Sequence, residues 1–340
     1  MRSKVLIALV AAAALSAIGV LSLLPAEDDT ALSPVATSTS SPSTSTPTST
    51  TRATTTSLPS IAWPALPVDG VVRAVVTPTG VVLAVRSVAA DGRFVAIAPC
   101  GGDVTVVGTP IGGATVVLDP GHGGDEPGAV GPGGSRETDV NLAVAQEAKR
   151  LLEAHGATAV LTRTADYRVT LESRAAIATA LRPLLFISIH HNAEPDGAHA
   201  GPGSETYFQI ASADSKRAAG LIYEEVERAF ATYDIAWVGD SDAGAKYRRR
   251  ADGGDYYGIL NRSAGVPAVL SEAAFISNPP EEALLADPSF RAVEAAAITR
   301  AVIRFATTSD PGSGFVEPYT RTQPAGPGGG SVGCTNPPLG

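Results

Sequence analysis

The feature that most constrains the fold is an alternation, from residue 114 onward, of short apolar runs with longer helical patterns. The apolar runs are too short for helices and indicate buried strands, whereas the segments between them place apolar residues at helical spacing. Such an alternation predicts an α/β fold with a mostly parallel sheet and helices on both of its faces. We therefore predict one domain over residues 114–307. Its predicted strands are ATVVLD, ATAVLTR, LLFISIH and AVLSE, and its predicted helices cover 140–155, 171–181, 212–233 and 290–305.

The first predicted helix carries a signal at each end. Asp139 can cap a helix that runs from Val140 to His155, because its carboxylate can accept a backbone N–H of the first turn. Gly156 can end the same helix, because glycine readily adopts the left-handed conformation that closes helices.

A small β-rich module is predicted before the α/β domain, over residues 61–113. Its Val-rich runs are short and are separated by Gly and Asp-Gly turns, which favours antiparallel strands. About fifty residues are marginal for independent stability, so we expect the module to dock on its neighbour. The runs cover 71–76, 81–85, 94–97 and 104–107.

The first 26 residues have the pattern of an export signal. Arg2 and Lys4 precede an uncharged apolar run from Val5 to Leu24. This run is longer than most cleaved signals and no clean cleavage motif follows it, so both a cleaved signal and a retained membrane anchor are open. We expect an exported protein, whether periplasmic, secreted to the cell wall or anchored to the outside of the membrane.

Two further segments lack the composition of a folded core. Residues 27–60 are dominated by Ser, Thr and Pro and are predicted to be an extended linker, because they offer little apolar surface to bury. The tail from 308 to 340 is rich in Pro and Gly and is predicted to be irregular.

Charge and cysteine content exclude several classes of protein. The chain has 25 Lys and Arg against 34 Asp and Glu, which argues against nucleic acid as a partner. Its two cysteines are too few for a disulfide scaffold or a four-thiolate zinc site. In an exported protein Cys100 and Cys334 can instead form one disulfide, which would tie the tail to the β-rich module.

Polar residues gather where the predicted strands end. His122 follows the first strand in the sequence DPGHGG, His190 and His191 end the LLFISIH run, and Glu272 ends AVLSE. Glu137 lies between His122 and the first predicted helix. Because functional groups of such sheets lie beyond the carboxyl ends of the strands, we expect these side chains to meet at one edge.

Some of these residues also have simpler interpretations. Without the nearby histidine, Glu137 would be interpreted as an acidic residue in the first turn of a helix that complements the helix dipole. Since side chains alternate along a strand, at most one of His190 and His191 can face a shared centre. The remaining histidines and the arginine run are predicted to be solvated: His155, His199 and Arg248–Arg250.

This set of residue types suits a catalytic zinc site. Two histidines and one glutamate supply three ligands and leave a fourth position open. Zinc lowers the pKa of a bound water and polarises a carbonyl oxygen, while a further carboxylate can move the proton.

Four segments resemble one known family in its motif order. VVLDPGHGG, RETDVNLA, SIHHN and SEAAFISNP are similar to the zinc-dependent N-acetylmuramoyl-L-alanine amidases of the amidase_3 type, over residues 114–306. The resemblance implies hydrolysis of the bond between N-acetylmuramic acid and L-alanine in peptidoglycan, as in an autolysin for wall remodelling or daughter-cell separation. It implies zinc ligands His122, Glu137 and His190, and Glu272 as the catalytic acid/base.

The sequence departs from that family pattern at two places. His191 stands where a small residue is more usual, and Ala273–Ala274 replace a pair that often contains glycine. These changes could alter the pocket, but they do not remove a ligand. The resemblance does not extend to residues 27–113.

Two alternatives come from other classes of function. One is another zinc-dependent wall hydrolase, either an endopeptidase or a deacetylase. The other is a wall-binding protein with a degenerate catalytic domain, against which the complete set of four polar residues argues.

Overall fold

The computed structural model describes residues 61–66, 69–317 and 328–340, and these lie within one compact unit, Thr56–Gly340. The predicted signal segment (1–26) and linker (27–60) fall outside the described residues. In the described ranges, no helix is both long enough and apolar enough to cross a membrane.

The N-terminal part of the described chain is a five-stranded antiparallel sheet, as expected for the β-rich module. One strand, β5, was not predicted; it pairs only with β1 at the sheet edge, where its Pro110 is tolerated because an edge strand has unpaired N–H positions. The order across the sheet is β4-β3-β2-β1-β5. The strands are β1 (Ala74–Val76), β2 (Val82–Val88), β3 (Phe94–Ile97), β4 (Asp103–Val106) and β5 (Thr109–Ile111).

A six-stranded sheet forms the centre of the α/β part, and it confirms the predicted mostly parallel sheet. Its order is β12-β10-β13-β8-β6-β7, and every neighbouring pair is parallel except β10 with β13. Two of its strands, β10 and β12, were not predicted. The strands are β6 (Val116–Pro120), β7 (Ala159–Leu161), β8 (Leu185–Asn192), β10 (Glu205–Phe208), β12 (Gly244–Lys246) and β13 (Ala268–Phe275), with a separate pair of β9 (Gly197–Ala198) and β11 (Val238–Gly239).

Helices cover both faces of this sheet. On one face, α1 packs against β6 and β8, α3 packs against β10 and β13, and α6 packs against both of these helices. Leu118 and Ile187 belong to the apolar core on this face. On the other face, α2, α4 and the small β-rich sheet together cover Val117 and Phe186. The small sheet therefore docks on the α/β domain, as expected. The helices are α1 (Glu137–Ala154), α2 (Leu171–Leu181), α3 (Ala213–Phe230), α4 (Gly258–Arg262), α5 (Pro279–Ala286) and α6 (Pro288–Thr307).

The first helix begins earlier than its apolar pattern indicates. Its N-cap is Arg136, so the predicted cap at Asp139 is wrong, and that residue lies inside the first turn. Two acids in this turn favour the earlier start because they complement the positive end of the helix dipole. The C-terminal end is as predicted: Gly156 has φ +84°, and its N–H donates to the carbonyl of Glu153 at 2.9 Å.

A disulfide joins the tail to the small sheet. Cys100 and Cys334 are bonded with their Cα atoms 5.6 Å apart, which confirms the pairing expected for an exported protein. The bond closes a separation of 234 residues. In the chain-entropy account, a loop of this length stabilises the folded state by roughly 5 kcal/mol.

Candidate metal centre and active site

A buried carboxylate lies at the end of β6, just before the loop that carries His122. Asp119 accepts hydrogen bonds from Arg174 Nη1 at 2.7 Å and from Ser188 Oγ at 2.6 Å. Burial alone would raise the pKa of Asp119, but the Arg174 charge and the hydrogen bonds from Ser188 and Thr162 lower it. The carboxylate is therefore ionised and ties the end of β6 to the neighbouring strand β8.

Two buried arginines hold the backbone of the same loop. Arg174 donates to the carbonyl oxygens of Pro120 at 2.7 Å and His122 at 2.5 Å. Arg163 donates to those of Pro120 and Gly121, both at 2.9 Å. These bonds fix the loop where His122 adopts a left-handed φ of +60°, a conformation that is uncommon for any residue other than glycine.

Glu137 lies between two histidine rings at the start of α1. Its Oε1 is 2.9 Å from His190 Nδ1, and its Oε2 is 3.2 Å from His122 Nε2. One ligand atom from each of the three side chains falls within 4.8 Å of the others. The structure therefore brings together the three residues that the resemblance implies as ligands.

Glycines allow this close approach. A Cβ on Gly121 would lie 2.1 Å from the His190 ring, and one on Gly128 would lie 2.4 Å from Glu137 Oε2. Both distances are far below any real contact, so larger residues at either position would displace the site.

Burial and mutual contact set the charge of the cluster. Burial opposes ionisation of Glu137, but hydrogen bonds with His122 and His190 outweigh it and hold its pKa well below the usual range. Burial lowers the pKa of His190 despite the neighbouring carboxylate. A carboxylate with neutral imidazole is the protonation state that binds a metal ion.

Glu272 lies beside this cluster, on the neighbouring strand β13. It stands opposite His190 in the parallel pairing of β13 with β8, and both side chains line a cavity of about 260 Å³ together with His122. Glu272 Oε2 is buried and has no hydrogen-bond partner among the described residues. Burial, followed by the charges of Glu137 and Glu205, raises its pKa well above the usual value.

A second polar group lies on the strand beside Glu272. Glu205, its cross-strand neighbour in β10, accepts hydrogen bonds from Asn192 Nδ2 at 2.7 Å and Tyr207 Oη at 2.6 Å. It also pairs with the buried Lys246. Glu205, Asp240 and Asp242 also form an acidic group. These carboxylates already have cationic partners, because Lys246 and Arg248 form ion pairs with them.

The prediction of a solvated arginine run is wrong at its first residue. Arg248 is buried, with its guanidinium 3.4 Å from Asp242 and 3.2 Å from Tyr207 Oη, whereas Arg249 is exposed. Asp242 lies only six residues before Arg248, but Glu205 and Tyr207 belong to β10, and a local pattern cannot reveal that this strand packs against Arg248.

The three residues at which the sequence departs from the family pattern lie in the buried core, and the candidate ligands are all present. His191 is buried on the opposite face of β8, where its ring contacts Asn141 at 2.8 Å and Glu294 at 3.0 Å. Ala273 and Ala274 are likewise buried in the apolar core. None of these three residues lines the cavity.

The two remaining histidines differ in exposure. His199 is exposed, as predicted. His155 is only partly exposed, and its carbonyl accepts a hydrogen bond from Trp63 Nε1 at 2.8 Å. Its predicted solvation is wrong because Trp63 covers the end of α1.

The comparisons with known proteins agree on one family. A family model described as N-acetylmuramoyl-L-alanine amidase, Amidase_3, matches residues 116–304, more than half of the chain. The uncharacterized protein YqiI of Bacillus subtilis is 34% identical over 219 residues, which are 64% of this chain and 95% of YqiI.

Two other matches have assigned names. N-acetylmuramoyl-L-alanine amidase AmiC of Neisseria meningitidis is 30% identical over 224 residues, 57% of this chain and 53% of AmiC, so the chain spans about half of that relative. The solved catalytic domain of CwlV, an N-acetylmuramoyl-L-alanine amidase from Bacillus (Paenibacillus) polymyxa var. colistinus, is 32% identical with a TM-score of 0.46. The matched region covers 55% of this chain and 94% of the CwlV domain.

The family match defines the class of the protein as an amidase. More narrowly, the chain belongs to the Amidase_3 family of N-acetylmuramoyl-L-alanine amidases.

Proposed function

We propose that this chain hydrolyses the amide bond between N-acetylmuramic acid and L-alanine in peptidoglycan, and that a zinc ion held by His122, Glu137 and His190 is required. Membership of the amidase family supports the reaction. The observation that carries the zinc requirement is the convergence of three ligand atoms within 4.8 Å.

The residues present fit a catalytic zinc ion. Two imidazoles and one carboxylate are a ligand set of catalytic zinc sites, which keep a fourth position for water or substrate. Glu272 supports the same interpretation, because its buried and unpartnered Oε2 lines the cavity beside the three candidate ligands. When bound, zinc would lower the pKa of a water molecule and polarise the scissile carbonyl.

Glu272 is the residue that we assign to proton movement. Its raised pKa brings it nearer to the working pH, where a carboxyl can both accept and return a proton. Its carboxylate takes a proton from the attacking water and delivers it to the nitrogen of L-alanine as the amide bond breaks. The products are a muramic acid carboxylate and a free stem peptide.

The remaining residues hold and shape the site. Arg174 orients the loop that carries His122 through a direct hydrogen bond to its backbone, and Asp119 holds Arg174 in place. Val169, Leu171 and Leu270 give the cavity an apolar lining, which limits competing water and strengthens the electrostatic interactions inside it.

Mass spectrometry of digested muropeptides tests the reaction. We expect free stem peptides that begin with L-alanine, lost on treatment with a chelator and restored by zinc. Cleavage of cross-links would instead indicate an endopeptidase, and loss of acetyl groups a deacetylase. Binding to the wall without any product would indicate a degenerate domain.

We also propose that the chain acts outside the cytoplasm, where peptidoglycan lies. The basic residues Arg2 and Lys4 and the apolar run that follows them support export. Cell fractionation with N-terminal sequencing of the mature protein tests this and separates a cleaved signal from a retained anchor. An intact chain in the cytoplasm would contradict export.

A further inference from the structure

The C-terminal residues reach the cavity of the proposed active site. Gly328 and Gly329 line the same cavity as His122, His190 and Glu272. They belong to the C-terminal tail, residues 308–340, which follows the catalytic domain. The described residues of this tail form neither a helix nor a strand. The tail therefore forms part of the surface that substrate would meet.

Hydrogen bonds fix Gly329 against two other residues that line the cavity. Its N–H donates to Glu126 Oε1 at 2.8 Å, and its carbonyl accepts from the N–H of Leu171 at 2.9 Å. A Cβ at Gly329 would lie 2.5 Å from Leu171 Cγ, and its φ is +79°. The close approach of the tail thus depends on glycine at this position.

Arg168 holds the next part of the tail. Its guanidinium donates to the carbonyl oxygens of Gly330 at 2.7 Å and Val332 at 3.1 Å. The same group pairs with Asp125 at 2.8 Å and Glu126 at 2.9 Å. One buried cation therefore joins the tail to the loop that follows His122.

The distal end of the tail is attached to the small sheet. Cys334 is bonded to Cys100, and the N–H of Cys100 donates to Asn336 Oδ1 at 2.8 Å. Thr79 Oγ1 donates to the carbonyl of Pro338 at 2.6 Å. The tail is thus fixed at the cavity by hydrogen bonds and a few residues later by a covalent bond.

We propose that Gly328 and Gly329, the cleft wall, determine the width of the substrate cleft, and that the Cys100–Cys334 bond positions this wall through the segment 330–334. The inference rests on the proposed amidase function. The side chains next to these glycines are Leu171 and Glu126, and the charge of Glu126 is already paired with Arg168. The wall therefore suits an uncharged and narrow part of the muropeptide, next to the scissile amide.

A matched pair of substitutions tests the wall directly. A Cβ at Gly328 would lie 3.9 Å from Glu126 Oε1, beside the cavity, whereas a Cβ at Gly330 would meet nothing within 4 Å. We expect Gly328→Leu to raise KM for a soluble muropeptide by about tenfold, the size of one added steric conflict, and to leave kcat unchanged. Gly330→Leu should leave both constants unchanged. Equal KM values for the two variants would overturn the inference.

Replacement of both cysteines tests the role of the disulfide. Cys100→Ser/Cys334→Ser should raise KM and retain zinc, because no candidate ligand is touched. Its control is Leu152→Ala, which destabilises the protein through the buried face of α1 and leaves the wall intact. If KM of the double serine variant equals that of wild type, or rises no more than in Leu152→Ala, the disulfide does not position the wall.

A binding measurement separates this inference from the proposed reaction. In a Glu272→Gln background, the Kd for muropeptide should rise with Gly328→Leu and not with Gly330→Leu. Failure of the wild-type protein to release stem peptides would refute the proposed reaction, while this difference in Kd would still support the wall. Equal Kd values, or no binding, would overturn the wall as well.

Discussion

His190 and His191 are adjacent in sequence, but their rings project from opposite faces of β8. The His190 ring lines the cavity and lies 2.9 Å from Glu137. The His191 ring is buried in the core, 3.0 Å from Glu294. Because neighbouring side chains on a strand alternate in direction, only one of the two can serve the proposed metal centre.

Zinc content should therefore distinguish the two histidines. His190→Ala should lose stoichiometric zinc, because it removes one of three candidate ligands. His191→Ala should keep zinc but lower the free energy of unfolding by about 3 kcal/mol, because it leaves Glu294 buried without its partner. Elemental analysis and urea unfolding of both proteins provide the measurements. Equal zinc loss in the two variants would contradict the assignment.

The site residues at strand ends could be predicted because the geometry of a parallel sheet is general. His122 follows β6, and His190 and Glu272 lie near the carboxyl ends of β8 and β13. These three strands lie side by side, and such strands bring their carboxyl ends to one edge. Alternation likewise separates His190 from His191. The choice of His190 came from the family resemblance, because alternation alone does not say which face carries the site.

Contacts between distant segments could not be predicted from local pattern. Arg174 occupies a position in a helical pattern and gives no sign that it binds the loop of His122, 52 residues earlier. Arg248 was expected in solvent because Glu205 and Tyr207, which help to enclose it, belong to the distant strand β10. The tail at the cavity was missed for the same reason, since a Gly-rich sequence does not specify what it packs against.

Replacement of Glu272 should separate chemistry from metal binding. Glu272→Gln keeps the shape of the side chain but cannot cycle a proton. We expect turnover to fall by about 10²–10⁴, the usual contribution of general acid–base catalysis, while zinc content stays normal. Single-turnover kinetics on a purified muropeptide, together with elemental analysis, would show this.

A control for that measurement is His122→Ala, which should lose metal and activity together. Near wild-type turnover by zinc-loaded Glu272→Gln would assign the proton transfer to another residue.

Arg174 should be required to hold in place the loop that carries His122. Arg174→Ala leaves the buried Asp119 carboxylate without its charge partner, a change that costs about 3–5 kcal/mol. Arg182→Ala, at the exposed C-cap of the same helix, should change stability by about 0.5 kcal/mol or less. Urea unfolding compares the two variants. A similar small effect in both would show that the Asp119–Arg174 pair does not support the loop.

A glutamate far from the site should make stability depend on pH. Burial raises the pKa of Glu227 in α3 to about 7, and its Oε1 is buried with no partner among the described residues. The folded state thus binds this proton more tightly than the unfolded chain, whose carboxyl has a pKa near 4.5. Stability is therefore lost as pH rises from about 4.5 to 7.

Glu227→Gln should remove this loss. The shift corresponds to roughly 3 kcal/mol at most, and since the side chain is only partly buried, solvent screening reduces our expectation to about 1 kcal/mol. Urea unfolding should show the variant more stable than wild type at pH 8 and nearly equal at pH 5. Glu224→Gln on the same helix loses an ion pair with Arg304 and should gain nothing at pH 8. An advantage of Glu227→Gln that is the same at both pH values would show that ionisation of Glu227 is not its cause.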